Sequence, residues 1–231
     1  MFNKKEKLKL LFLLLFLVSS IFMLSGCSGR PNLITIGLEY MENKYGERFE
    51  YRGPWGGMSS RHFTQFLATS NSFPDHLIFV EVNNSENNMI VKDNFLAVKH
   101  YNATVELLYH HATTIFDEAI IHYNVSKHGL SPDLSANATL YEVLADTNRP
   151  FIIMIEVKES NISSRTQVEE VGRLIAENIE RFILTIVVVD NNVYNTLTRD
   201  ELNSKIGLGR VIAFNITNSN GNVNTTQVDI W

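Results

Sequence analysis

One cysteine, Cys27, stands in 231 residues, which excludes an internal disulfide framework and any multi-cysteine zinc or iron–sulfur centre. Basic residues are also short. Twenty Lys and Arg face 25 Asp and Glu, and a formal net charge of −5 leaves no basic excess for nucleic acid. With 19% charged and 45% hydrophobic residues, the chain is not a disordered tail. Signatures of catalysis are missing too: there is no Gly-x-Ser-x-Gly elbow, no His-Glu-x-x-His motif and no zinc-type pairing of histidines. Gly207-Leu208-Gly209 precedes a predicted strand rather than a helix, so it is not a phosphate loop.

What is present begins with a leader. Lys4, Lys5, Lys7 and Lys9 form a basic front edge, and Leu10 to Leu24 is an apolar run broken only by Ser19 and Ser20. A basic edge before an apolar core of this length reads as a secretory signal. The run ends in Leu24-Ser25-Gly26-Cys27, whose small residues suit a peptidase cleft.

Leu24-Ser25-Gly26-Cys27 behind such a core resembles the bacterial lipobox. The resemblance covers residues 1–27 and implies a lipoprotein precursor. Residues 1–26 are then cut away, and the Cys27 thiol carries a diacylglyceryl group. Palmitate-type acyl chains at Cys27 then hold the protein to the cell membrane, facing outside the cytoplasm, because two chains anchor stably where one binds reversibly. The alternatives are an ordinary cleaved signal with an incidental cysteine, or an uncleaved N-terminal anchor. Cleavage removes four Lys and one Glu, leaving 16 basic and 24 acidic residues, a net of −8. An anionic bilayer repels such a domain, so the lipid must do the holding. Residues 27–32 form a short tether. A looser resemblance runs from Glu39 to Trp55, where Lys44-Tyr45-Gly46-Glu47 leads into Phe49 and Tyr51. This stretch is similar to the openings of uncharacterised Gram-positive lipoproteins, a group that brings no activity with it.

Along the mature chain, Thr35 is expected to cap a helix ending near Tyr45, with Gly46 in its C-terminal position. Phe49–Arg52, His62–Thr69 and Leu77–Val82 read as strands, the last two paired around Asn71-Ser72-Phe73-Pro74-Asp75. Another strand is expected within Met89–Lys99, and Asn102 is placed as the cap of a helix to Phe116. Ala119–Val125 and Phe151–Lys158 read as strands, with a short helix over Ala138–Ala145 between them. Ser164-Arg165-Thr166-Gln167 has the spacing of a capping box, opening a helix with Val168, Val171, Ile175 and Ile179 inside. Phe182–Val189 is near-continuously apolar, the pattern of a strand buried on both faces. Thr198-Arg199-Asp200-Glu201 repeats the capping pattern, and a hairpin across Ser219-Asn220-Gly221 closes the chain. The predicted fold is α+β, a mixed, largely antiparallel sheet with helices packed on it. Residues 33–231 are read as one domain, with a possible subdivision near 125–150.

Chemistry is thin on this scaffold. All seven histidines lie between His62 and His128. His100 and His111 on one helix would stand roughly 16 Å apart, too far for one ion. Glu106 and His110 are one turn apart, the spacing of a surface contact. Ser59, Ser60 and His62 are near in sequence without the pattern of a triad. Glu169 and Glu170 fall on the polar side of their helix. Trp55, in Gly53-Pro54-Trp55-Gly56-Gly57, is either a presented ligand contact or a lid folded back on the core, and the lid is preferred. Seven Asn-x-Ser/Thr triplets, at Asn83, Asn102, Asn124, Asn137, Asn161, Asn215 and Asn224, are glycan acceptors only if the lipobox reading fails.

The expectation is a lipid-anchored extracytoplasmic protein with a non-catalytic binding or scaffolding domain, no cofactor, no metal, and a protein, peptide or glycan partner. The rivals are a surface hydrolase or metal-dependent enzyme using His62–His128, and a solute-binding lipoprotein.

Overall fold

Asn32 opens the first helix. Its side chain accepts the Ile34 N–H at 3.1 Å from an extended backbone, so it takes the capping place expected of Thr35 and leads α1 (Leu33–Tyr45). Gly46 ends the helix as expected, with a left-handed φ of 72° that a residue with a side chain adopts at a cost. This computed structural model describes residues 32–56, 59–60, 62–85, 88–124, 129–146, 150–192, 194, 211–219 and 222–230.

α1 lies on a sheet of β1 (Phe49–Pro54), β2 (Phe63–Ser70), β3 (Ile78–Ser85) and β4 (Asn88–Asp93), in that order and all antiparallel. Met41, Phe49, Phe66, Val80, Val82 and Phe95 make the core between them. Gly37 allows the close approach: a Cβ there would stand 2.8 Å from Val82 Cγ2 and 2.9 Å from Phe66 Cζ.

The strand expected within Met89–Lys99 stops at Asp93, and α2 (Phe95–Lys99) follows. Phe95, Leu96, Ala97 and Val98 are all buried, and a short apolar run of that kind has no period to tell helix from strand. α3 (Tyr101–Ile115) starts one residue later, with His100 rather than Asn102 in the capping place. Because α2 leads almost directly into α3, the junction lacks the extended residue that an Asn cap requires.

The second sheet holds β5 (Ile120–Asn124), β6 (Phe151–Lys158), β7 (Arg181–Val189), β8 (Val211–Ser219) and β9 (Asn222–Ile230). β6 and β7 are parallel across the helical crossover, and the other pairs are antiparallel. α3 and α5 (Arg165–Ala176) cover one face, packing Leu108, Ala112, Val168, Val171 and Ile175 on Ile153, Ile155, Phe182, Leu184 and Ile186. α4 (Leu140–Leu144) sits between β5 and β6 in the chain. β7 is not buried on both faces over its whole length. Ile183 is 37% exposed because the helices cover only the opposite side, and only Ile186–Val189 is buried continuously.

The protein is therefore α+β, with helices on largely antiparallel, partly mixed sheet, its strands divided between two sheets. An aromatic chain bridges them. Phe73 of the β2–β3 hairpin meets His76, His76 lies 5.5 Å from Tyr101, and Tyr101 stacks on Tyr123 at 5.7 Å. The leader with Cys27, His128, the Thr198–Glu201 capping pattern, Gly207-Leu208-Gly209 and the Asn220-Gly221 turn lie outside the described residues. No helix among the described residues is long and apolar enough to cross a membrane.

Candidate functional site

The histidines disperse over the fold. His62 Nδ1 lies 3.0 Å from the Asn84 carbonyl, and the Ser60 hydroxyl accepts the backbone N–H of His62, not its ring. His100 Nε2 lies 2.9 Å from the Ala138 carbonyl. His111 meets the Asn178 side-chain amide at 3.0 Å, and burial, helped by neighbouring His110, pushes its pKa down. Among the described residues, no three His, Cys, Asp or Glu side chains gather as ligands for one metal ion. Trp55 is half-buried, with its ring edge-on to Phe79 at 6.4 Å and its backbone N–H donating to Gln65 O at 3.0 Å.

Two buried carboxylates are the polar centres of the molecule. Asp93, at the end of β4, accepts the Tyr45 hydroxyl and the Phe95 N–H. Burial raises its pKa, while Lys44, the Phe95 N–H and the Tyr45 hydroxyl pull the other way. Burial and the neighbouring Asp93 also hold the Tyr45 phenol well above its ordinary range. This cluster joins α1, β4 and α2 and is a structural lock.

Glu156 is the second. It is fully buried on β6, on the face away from α3 and α5, and His122 Nε2 of β5 lies 3.2 Å from its carboxylate. The β5–β6 register pairs His122 with Met154, which sets it diagonally across from Glu156 on one face. Lys158, two residues along, pairs with Glu118 and sits over the Tyr194 ring at 4.7 Å. Burial, then Glu118, Glu156 and Tyr109, raise the Tyr194 pKa. A carboxylate that orients an imidazole is chemically an acid–base pair. It is the one such arrangement the fold assembles among the described residues, and the sequence reading missed it. The signal was there: one Glu inside the apolar run Phe151-Ile152-Ile153-Met154-Ile155-Glu156-Val157.

The surface also carries an open depression of about 580 Å³, lined by Glu42, Gly46, Glu47 and Arg48. Two of its carboxylates are engaged, Glu42 with the Phe49 N–H and Glu47 with Ser72.

No family model and no curated protein matches the chain. One solved structure similar to it is a DUF5037 family protein from Ruminococcus gnavus, 11% identical, with a TM-score of 0.42 over 83% of this chain and 94% of that one. That likeness is too distant to bear on function.

Proposed function

We propose that the protein is a lipid-anchored extracytoplasmic protein whose folded part binds or scaffolds a protein, peptide or glycan and does no catalysis. The observation that carries this reading is Leu24-Ser25-Gly26-Cys27 behind a basic edge and an apolar core. Support for the non-catalytic half comes from what the buried ionisable groups do. Asp93 joins elements through Tyr45 and Phe95, and Glu156 is held beneath the sheet surface by His122. A net of −8 after cleavage makes the acyl chains, not charge, the source of membrane attachment.

Metabolic labelling with a palmitate analogue tests the anchor. Wild type is expected to take up label and fractionate with membranes, and Cys27→Ala to lose both; equal labelling of the two refutes it. A hydrolytic or metal-dependent turnover that disappears in His122→Gln would refute the non-catalytic half.

A further inference from the structure

We infer that the face of the first sheet turned away from α1 binds a neutral glycan, with Trp55 as the stacking surface and Gln65 and Glu81 as the polar contacts. The inference deepens the binding reading above and rests on it, but does not need the anchor.

α1 covers one face of this sheet, where Gly37 lies against Phe66 and Val82. Alternation along the strands places Gln65, Leu67, Phe79, Glu81 and Lys92 on the other. Phe79 is 2% exposed, yet it belongs to none of the three apolar cores among the described residues. The ring against it is that of Trp55, edge-on at 6.4 Å. Trp55 therefore stands on the far face and not beneath α1. It covers Phe79 with one edge and keeps part of its own surface exposed.

The polar groups beside the indole are fixed. The Trp55 backbone N–H donates to Gln65 O at 3.0 Å, so the two side chains project next to each other on this face. Gln65 Nε2 donates to Glu81 Oε2 at 2.8 Å, which orients the amide. Gln65 Oε1 and Glu81 Oε1 are left as acceptors with no partner among the described residues. Lys92 stands opposite Glu81 in the register and supplies a donor on the same face. A pyranose ring calls for this set: a surface for its apolar C–H side, and acceptors and donors for neighbouring hydroxyls.

The sheet edges argue against an extended peptide. β1 carries a bulge between Tyr51 and Gly53, an ion pair of Glu50 with Arg52, and Pro54, which has no N–H to offer. At the other edge the Leu130 N–H donates to the Asp93 carbonyl, and Gly129 packs on Lys92. A peptide that adds a strand needs an open edge, so recognition falls to the side chains of the face. The net charge of −8 after cleavage disfavours anionic polymers, which leaves an uncharged glycan.

Full-length protein in detergent is titrated calorimetrically with cellohexaose, maltohexaose, xylohexaose and N-acetylated chitohexaose, and with a casein digest as the peptide probe. At least one sugar is expected to bind and to quench Trp55 fluorescence in Trp231→Phe, which removes the other indole. Affinity should fall about tenfold in Trp55→Ala and in Glu81→Ala, and stay within about threefold in Trp55→Phe. Tyr141→Ala, at an exposed aromatic on α4, should bind as wild type does. Glu81→Ala carries the test alone where melting shows that Trp55→Ala does not fold. No heat from any of the four sugars, or equal affinity in wild type and Glu81→Ala, overturns the inference. Heat from the digest alone overturns it too and leaves the binding reading standing. Release of reducing ends from the bound sugar sinks the non-catalytic reading, whatever the variants show.

Discussion

The Tyr45 hydroxyl lies between the two carboxylate oxygens of Asp93, at 2.9 and 3.1 Å, and so ties the last turn of α1 to the end of β4. The same carboxylate accepts the Phe95 N–H at 2.9 Å, and the Asp93 carbonyl accepts the Leu130 N–H at 2.7 Å. One residue thus holds four segments: α1, β4, α2 and the stretch that leads to α4.

Tyr45→Phe removes the hydroxyl donor and leaves a buried carboxylate one partner short. The expected cost is about 2 kcal/mol in urea unfolding. A loss within a few tenths of a kcal/mol would mean that the contact is not formed in solution.

The raised pKa of Asp93 has a definite sign in stability. Below an unfolded value of about 4 both states are protonated and burial costs nothing extra. As pH rises above it, the unfolded chain ionises first, and folding stability falls until the raised folded value has been passed. Wild type is therefore expected to lose stability relative to Asp93→Asn as pH rises above about 4 in parallel denaturation series. A difference that grows in favour of wild type would show that the carboxyl is depressed instead.

Three glycines to alanine should rank by what the new methyl meets. At Gly129 the methyl falls on the Lys92 backbone, 2.8 Å from its carbonyl carbon, where nothing can yield. At Gly37 it meets Val82 and Phe66 side chains below 3 Å, and at Gly172 it meets Ile216 methyls at 3.0 and 3.1 Å. Overpacking costs about 1–3 kcal/mol, while alanine in a helix returns about 1 kcal/mol. Melting temperatures should fall most for Gly129→Ala, less for Gly37→Ala, and hardly at all for Gly172→Ala. A reversed order would contradict the packing of β4 against the chain at Gly129.

His122→Ala strips a partner from a carboxylate with no exposure to solvent. Leaving a buried polar group short of a hydrogen-bond partner costs about 1–3 kcal/mol. Glu156→Gln keeps the shape and should cost less. Equal stability of His122→Ala and wild type by calorimetry would count against the pair.

β7 offers a test of one-sided covering. Ile186 is fully buried and Ile183 is 37% exposed. Ile186→Ala should cost about 3 kcal/mol, within the usual range for a core deletion, and Ile183→Ala well under half of that. Similar losses at the two positions would show that the second face is covered as well.

Much of the fold was readable from local pattern. Gly46 ended α1, and the Ser164 to Gln167 spacing opened α5 as a capping box. Asn32 displaced Thr35, and His100 displaced Asn102, because a cap depends on the backbone state of the preceding residue as well as on side-chain type. The partners of the polar centres were not readable. Asp93 and Tyr45 are 48 residues apart, and His122 and Glu156 34 apart.

Sequence alone determined the helices and strands whose signals lie within a few residues, and it is the whole basis of the proposed anchor at Cys27. Tertiary structure decided the rest: the division of nine strands among the described residues into two sheets, the single covered face of β7, and the partners of Asp93 and Glu156. Capping and periodicity act between neighbours in the chain, whereas burial of a carboxylate depends on which distant segments pack over it.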